Sequence, residues 1–393
     1  MNVPKLRFKE FNDEWRKYKV EEILKISNGI NKGKEFFGSG TPIINYMDVN
    51  KNELISHNIV KGLVIANSKE LETFNVKKGD ILFTRTSETS DEIGLSSSVI
   101  ENIDKCIFSG FILKGTQTKN FIHHYFGGYY FRNPKMRKEI IKHSSITTRA
   151  LTSGNLLAQM SISIPTIIEQ EKIGKTLSLL DKKIELQNKK IEDLKLFKLY
   201  MENKFIFEDD ASYIEYKLRD ILIEGNKTPV ADTSKYQKLT IKLNLKGLEF
   251  NESQKEMSDK RPFYVRDENE LIIGKQNYFN GSIAIVNKKY AGGICSNAIM
   301  SFKAKDGFDI KYIYLYLSQK SYMKQREFLA NGTGQKELSE KEFLNFSIRI
   351  PSDNKVKKII KNVNCISKKI LIEENKLNKL IELKKGLMQN MFV

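Results

Sequence analysis

Residues 173–205 read IGKTLSLLDKKIELQNKKIEDLKLFKLYMENKF, and residues 359–391 read IIKNVNCISKKILIEENKLNKLIELKKGLMQNM. In the first stretch Ile173, Leu177, Leu180, Ile184, Gln187, Ile191, Leu194, Lys198, Met201 and Phe205 follow one another at steps of four and three. That spacing is the a/d seam of a coiled coil. In the second, Ile359, Val363, Ile366, Ile370, Glu373, Leu377, Leu380, Lys384, Leu387 and Met391 repeat it at an offset of 186. Apolar positions return apolar, and both polar interruptions return in place. Ile164-Pro165 and Ile350-Pro351 share the offset, which marks an internal duplication.

The polar seam positions predict how the helices pair. Parallel, in-register pairing sets Lys198 against Lys384, two like charges in an apolar seam. Antiparallel pairing sets Ile173 against Met391 and Phe205 against Ile359, and separates the lysines by roughly 25 Å at 1.5 Å per residue. Gln187 and Glu373 then fall in adjacent central layers, where a polar contact can fix register. Each helix is expected to span about 50 Å. The expected fold class is therefore α+β (mixed α/β): two globular domains separated by two long helices that pair as an antiparallel, pseudo-two-fold intramolecular coiled coil. The expected boundaries are 1–165, 166–207, 208–351 and 352–393.

The chain has 393 residues and a net charge of +18, spread over both globular stretches and both helices. Spread basic charge suits a polyanionic partner, with nucleic acid foremost. No apolar run is long enough to cross a membrane, and Met1–Glu14 lacks an apolar signal core, so neither a span nor secretion is expected. Three scattered cysteines, Cys106, Cys295 and Cys365, fit a reducing cytoplasm.

Within 1–165, short β-rich runs (Pro42–Asn45, Gly62–Ala66, Asp80–Thr84, Ser97–Ile100, Phe111–Lys114) precede a helical pattern over Asn120–Lys142. Its aromatic residues are expected to pack on a sheet rather than stack on bases. The second half echoes the first: Tyr216–Leu222 resembles Tyr18–Leu24, Glu270–Gly274 resembles Asp80–Thr84, and a Tyr-rich helix over Tyr312–Leu329 is expected. The helices match closely while the globular parts match only in outline. Two readers of different targets on one frame fit that pattern.

Catalytic signatures are missing. There is no Gly-x-x-x-x-Gly-Lys-[Ser/Thr], no glycine-rich cofactor loop, and no Asn-Pro-Pro-aromatic tetrad; Asn133-Pro134-Lys135-Met136 is the nearest string. His123-His124 has no ligand partner at metal spacing. Glu382-Leu383-Lys384 resembles half of a nuclease pair and is expected to be a helix face.

Ile162-Ser163-Ile164-Pro165-Thr166-Ile167-Ile168-Glu169-Gln170-Glu171-Lys172-Ile173 resembles the "I-P-x-P-x-x-E-Q-x-x-I" start of the long helix in specificity (HsdS) subunits of type I restriction–modification enzymes. The second copy keeps Pro351 but lacks the Glu-Gln pair. Gly79-Asp80-Ile81-Leu82-Phe83-Thr84-Arg85 is similar to that family's "G-D-I-L-x-x-R", with Asn269–Gln276 as a weaker second copy. The resemblance spans the whole chain. It implies two target-recognition domains, each reading half of a split duplex DNA target, on a helical ruler. It also implies two methyltransferase subunits carrying S-adenosylmethionine and two motor–nuclease subunits using ATP and Mg, with no cofactor in this chain. The expected DNA contacts are Lys32, Lys34, Thr84, Arg85, Ser87, Thr147 and Arg149 in the first domain. In the second they are Lys227, Lys275, Gln276, Asn277, Gln335 and Lys336. A structural coiled-coil adaptor and a self-contained DNA methyltransferase or nuclease are the competing readings.

Overall fold

Strand β1 (Arg16–Lys19) turns through the short helix α1 (Val20–Ile23) into β2 (Leu24–Asn28). This is a computed structural model, describing residues 3–146, 149–206, 212–251, 261–329 and 337–393. Its contacts divide the chain into Met1–Lys190 with Glu373–Val393 (unit 1) and Ile191–Ile372 (unit 2).

In unit 1 the central sheet runs in the order β2, β5 (Ile112–Gln117), β3 (Ile81–Thr84), β4 (Ser96–Val99) and an edge strand Leu54–Ile55. Strand β3 is central and buried on both faces: Ile81 and Phe83 join one apolar cluster, Leu82 the other. Burial of each such side chain contributes about 1.5–3 kcal/mol. One sheet face carries α2 (His124–Tyr130), with α3 (Pro134–Lys142) after it. The pattern predicted a single helix over Asn120–Lys142; the chain breaks it at Pro134. Proline lacks the N–H a continuing helix needs, and Asn133 caps the new start by accepting from Lys135 and Met136 at 2.9 and 3.0 Å. Phe126, Tyr129 and Tyr130 are buried, as expected of core packing.

Strand β1 pairs antiparallel with β6 (Ser161–Ile164), Arg16 opposite Ile164, just before α4 (Ile167–Ile206). The Glu169-Gln170 pair anchors that helix. Arg7 grips Glu169 through two bonds of 2.8 Å, and Gln170 donates to Phe121 and Pro165 carbonyls while accepting from the His123 N–H. Gly174 lies where a Cβ would come within 2.7 Å of Phe126 and Tyr125 backbone atoms, so only glycine lets α4 approach α2 this closely.

Helix α8 (Asp353–Asn390) ends inside the same unit. Met391 shares a core cluster with Ile173 and Leu177, and Phe392 packs on Phe126 at 5.5 Å between ring centroids. Further along, Gln187 Nε2 donates to the Glu373 carboxylate at 2.7 Å and to its carbonyl at 3.0 Å. Residue numbers thus rise on α4 as they fall on α8, and the helices of unit 1 pair antiparallel in the predicted register. Seam positions Ile173, Leu177, Leu180, Ile191, Ile359, Val363, Ile370 and Glu373 are buried; Ile184, Leu194, Ile366, Leu377 and Leu380 are half-buried.

Unit 2 repeats the plan. Strand β7 (Ile214–Lys217), helix α5 (Leu218–Ile221) and β8 (Leu222–Glu224) echo β1, α1 and β2. The sheet order is β8, β11 (Ile299–Ala304), β9 (Leu271–Gly274), β10 (Ile283–Ile285), and β7 pairs with β12 (Ser347–Ile350). The Tyr-rich helix is again broken, into α6 (Ile310–Leu317) and α7 (Lys320–Arg326). At the start of α8, Val356 fills the core position that Gln170 takes in α4, and Lys355 lies over the Tyr213 ring at 4.7 Å. Apolar burial replaces the missing Glu-Gln anchor.

Candidate nucleic-acid interface

Each central strand opens on a left-handed residue followed by a buried acid. Gly79 (φ +91°) precedes Asp80, and Asn269 (φ +66°) precedes Glu270. Glycine takes that conformation without strain, and Asn tolerates it better than most residues. Asp80 accepts from the Lys77 N–H at 2.8 Å and lies 3.9 Å from the Lys114 ammonium. Burial raises the Asp80 carboxyl above its usual range and lowers Lys114 below its own. Glu270 accepts from Ser301 Oγ at 2.7 Å and faces Arg266 at 4.0 Å.

At the other end of β3 the chain is held by backbone on both sides. The Arg85 N–H donates to the Phe111 carbonyl at 2.9 Å, and its carbonyl accepts from Thr152 N–H at 3.0 Å. In unit 2 the Lys275 N–H donates to Ala298 at 3.0 Å, and its carbonyl accepts from Leu338 N–H at 2.9 Å. Lys275 is therefore the structural counterpart of Arg85. The same clamp presents guanidinium in one unit and ammonium in the other.

Around Arg85, the strand Thr86–Ser87 pairs with Ala150–Leu151, which pairs with Ser145–Ile146. This pairing brings Arg149 beside the Arg85 loop. A groove there is lined by Tyr46, Thr86, Ser87, Glu88, Thr89, Glu92, Phe111 and Arg149, with Phe111 61 % exposed. Arg149 and Lys34 are exposed and Arg85 is half-buried. Thr84 is corrected: its side chain is fully buried, and its hydroxyl donates to the Glu92 carbonyl at 2.8 Å while accepting from Leu95 N–H at 2.9 Å. It shapes the loop and cannot reach DNA. Ser87, also buried, accepts from the Thr89 N–H at 3.1 Å and lines the groove. Lys32 donates to the Ile65 carbonyl at 2.6 Å and pairs with Glu70 at 2.7 Å, so its charge is already engaged.

In unit 2, Lys227 bridges Glu224 at 2.7 Å and Glu340 at 2.8 Å, and Lys275 lies 3.8 Å from Glu340. Hydrogen bonds to Glu224 and Glu340 raise Lys227 above its ordinary pKa. Gln276 and Asn277 are exposed, and Asn277 accepts from Asn280 Nδ2 at 3.2 Å. Thr147, Gln335 and Lys336 lie outside the described residues. Sequence reasoning missed Arg266, Glu340 and Phe111. The paired Gly-Asp and Asn-Glu strings signalled the buried acids, whereas nothing in the sequence marked Glu340. Among the described residues no group of three or more His, Cys, Asp or Glu side chains is placed to hold a metal, and no helix is long and apolar enough to cross a membrane.

A family model for the type I restriction modification DNA specificity domain matches residues 12–196 and 212–383. The chain belongs to that family. Each matched specificity domain takes in one globular part and most of one long helix. The chain is 24 % identical, over 98 % of its length and 95 % of the relative's, to a protein of Methanocaldococcus jannaschii assigned as a type I restriction enzyme specificity subunit (MjaX). The specificity fold is shared with the S subunit of the type I system of M. genitalium, at a TM-score of 0.60 and 15 % identity over 100 % of this chain and 99 % of that one. It is shared as well with the HsdS subunit of Thermoanaerobacter tengcongensis, at 0.50 and 14 %, covering 96 % of each.

Proposed function

We propose that each unit of this specificity chain reads one half of a bipartite, asymmetric duplex DNA target, and that the chain supplies an address while partner subunits supply the chemistry. The observation that carries the proposal is the shared clamp: identical backbone bonds present Arg85 in one unit and Lys275 in the other. Arginine and lysine both reach guanine O6 and N7, the arginine as a rigid planar fork and the lysine as a flexible point charge; phosphate contacts from Lys34 and Arg149 set position without reading sequence. Thr147, Gln335 and Lys336 remain proposed contacts on sequence grounds.

Two methyltransferase subunits would dock on the outward faces of the long helices. Leu186 and Phe197 are exposed, and so are their counterparts at the 186-residue offset, Ile372 and Leu383. One apolar pattern displayed twice suits two copies of one partner. S-adenosylmethionine would bind in those subunits, and ATP with Mg in two motor–nuclease subunits, all acting on cytoplasmic DNA. The test is a pair of variants assayed in the assembled complex against DNA altered in either half-site. Arg85→Ala is expected to cost about 1–3 kcal/mol of discrimination in one half-site, and Lys275→Ala in the other. Equal loss at both half-sites, or none, overturns the assignment.

A further inference from the structure

A small cavity in unit 2 gathers three cations from three segments: Lys227 after β8, Arg266 ahead of β9, and Lys275 after β9. Asn226, Tyr264 and Asn297 complete its wall, and Glu340 closes one side. Glu340 lies 2.8 Å from Lys227 and 3.8 Å from Lys275, so a single carboxylate occupies the space between two ammonium groups. Arg266 is only 3 % exposed, and its Nε has no hydrogen-bond partner among the described residues. Its Nη1 donates to the Asn226 carbonyl at 3.2 Å and lies 4.0 Å from Glu270. Glu224, Glu270 and Glu340 face these three cations, and Lys303, 3.4 Å from Glu270, is paired with Asp267 at 2.7 Å, so among the described residues four cations meet four carboxylates.

We propose that Glu340 occupies, in the DNA-free chain, the seat beside Lys227 that a backbone phosphate of the second half-site takes when duplex DNA binds, which also frees Lys275 to face the bases. This rests on unit 2 being a DNA reader, as proposed above, and adds to it a means of rejecting the wrong DNA. A carboxylate and a phosphodiester present similar pairs of anionic oxygens to an ammonium. With both lysines engaged, a duplex that drifts over this cavity finds its ammonium groups already paired and releases fewer counterions there. Partly exposed ion pairs contribute little net stability, so a phosphate delivered into the cavity by a duplex seated in register can replace Glu340. The carboxylate lowers affinity for all DNA and lowers it most for DNA that cannot place a phosphate there.

The experiment uses the full chain in its complex, with duplex DNA of arbitrary sequence as probe, followed by fluorescence anisotropy between about 50 and 200 mM salt. Glu340→Gln, and Glu340→Ala as a second variant, are expected to bind this probe several-fold tighter at the low-salt end. Their plots of log affinity against log salt should steepen by about 1–2, since each added phosphate contact contributes about 0.9. Adding Lys227→Ala to Glu340→Gln should remove about half of the extra slope. Unchanged or weaker binding at the wild-type slope overturns the proposal. A changed base preference at one position without a change of slope also overturns it, because Glu340 would then be reading a base. If Lys275→Ala still lowers discrimination in the second half-site while Glu340→Gln gains nothing, this inference fails and the half-site reading stands.

Discussion

Lys384 occupies a seam position, where a charge is costly unless it is partnered. Its ammonium lies 2.6 Å from Asp181 and 2.8 Å from Glu53, and the Tyr129 hydroxyl donates to Asp181 at 2.7 Å. Burial raises the Asp181 carboxyl; for Glu53 the same burial is outweighed by Lys384 and Arg132, and its pKa falls. Replacing Lys384 by Met leaves two carboxylates facing each other in a half-buried site. The expected loss is about 3 kcal/mol of unit 1 stability, read from urea unfolding followed by circular dichroism; a loss below about 1 kcal/mol contradicts the role given to this cluster. At this scale the sequence was only partly legible. The charge at 384 and its place in the seam could be read directly, but Asp181 and Glu53 could not be matched to it, because the contacts depend on a tertiary fold. Thr84 was misplaced for a related reason: a polar residue at a strand end suggests a surface, and here its hydroxyl satisfies two backbone groups inside a loop.

The long helices were the most legible elements, since a seam sustained at 4,3 spacing admits few other structures. The Gln187–Glu373 contact was readable from register alone. It carries a pH prediction. Hydrogen bonds from Gln187, Lys190 and Lys376 hold the Glu373 carboxyl down to about 2, against 4.5 for a free glutamate. A depressed carboxyl favours the folded state fully above the unfolded value, and that contribution disappears as pH falls through the folded one. Thermal unfolding of the wild type should therefore become easier between pH 4.5 and about 2, and that decline should be shallower for Glu373→Gln. Parallel declines in the two proteins exclude the contact as a source of acid sensitivity. A second prediction concerns length. Inserting four residues into α4 adds about 6 Å of rise while turning the apolar stripe by only about 40°. The bipartite target is expected to gain spacer, measured by selecting bound sequences from a random duplex library, and an unchanged spacer means that the helix does not set the distance. The aromatic helices were less legible: their 3.6 periodicity continues across Asn133-Pro134, although proline in that position makes the break intelligible.

For the molecule as a whole, the duplication was visible because the long helices must conserve apolar spacing, whereas loops that read different DNA need not resemble each other. The common sheet order of the two units was hidden by that divergence. It emerges only from strand pairing, with β3 and β9 central in their sheets and β1 and β7 closed against β6 and β12. Likewise the equivalence of Arg85 and Lys275 rests on backbone bonds and would not survive an argument from side-chain type alone. The central claim is that one polypeptide carries two unlike readers and so directs modification to a split sequence. It is tested most directly by mapping methylated bases across the genome in cells with and without this gene. The account predicts one motif of two short, unlike halves at a fixed separation, methylated only when the gene is present. Methylation that persists without the gene, or a single uninterrupted motif, would contradict it.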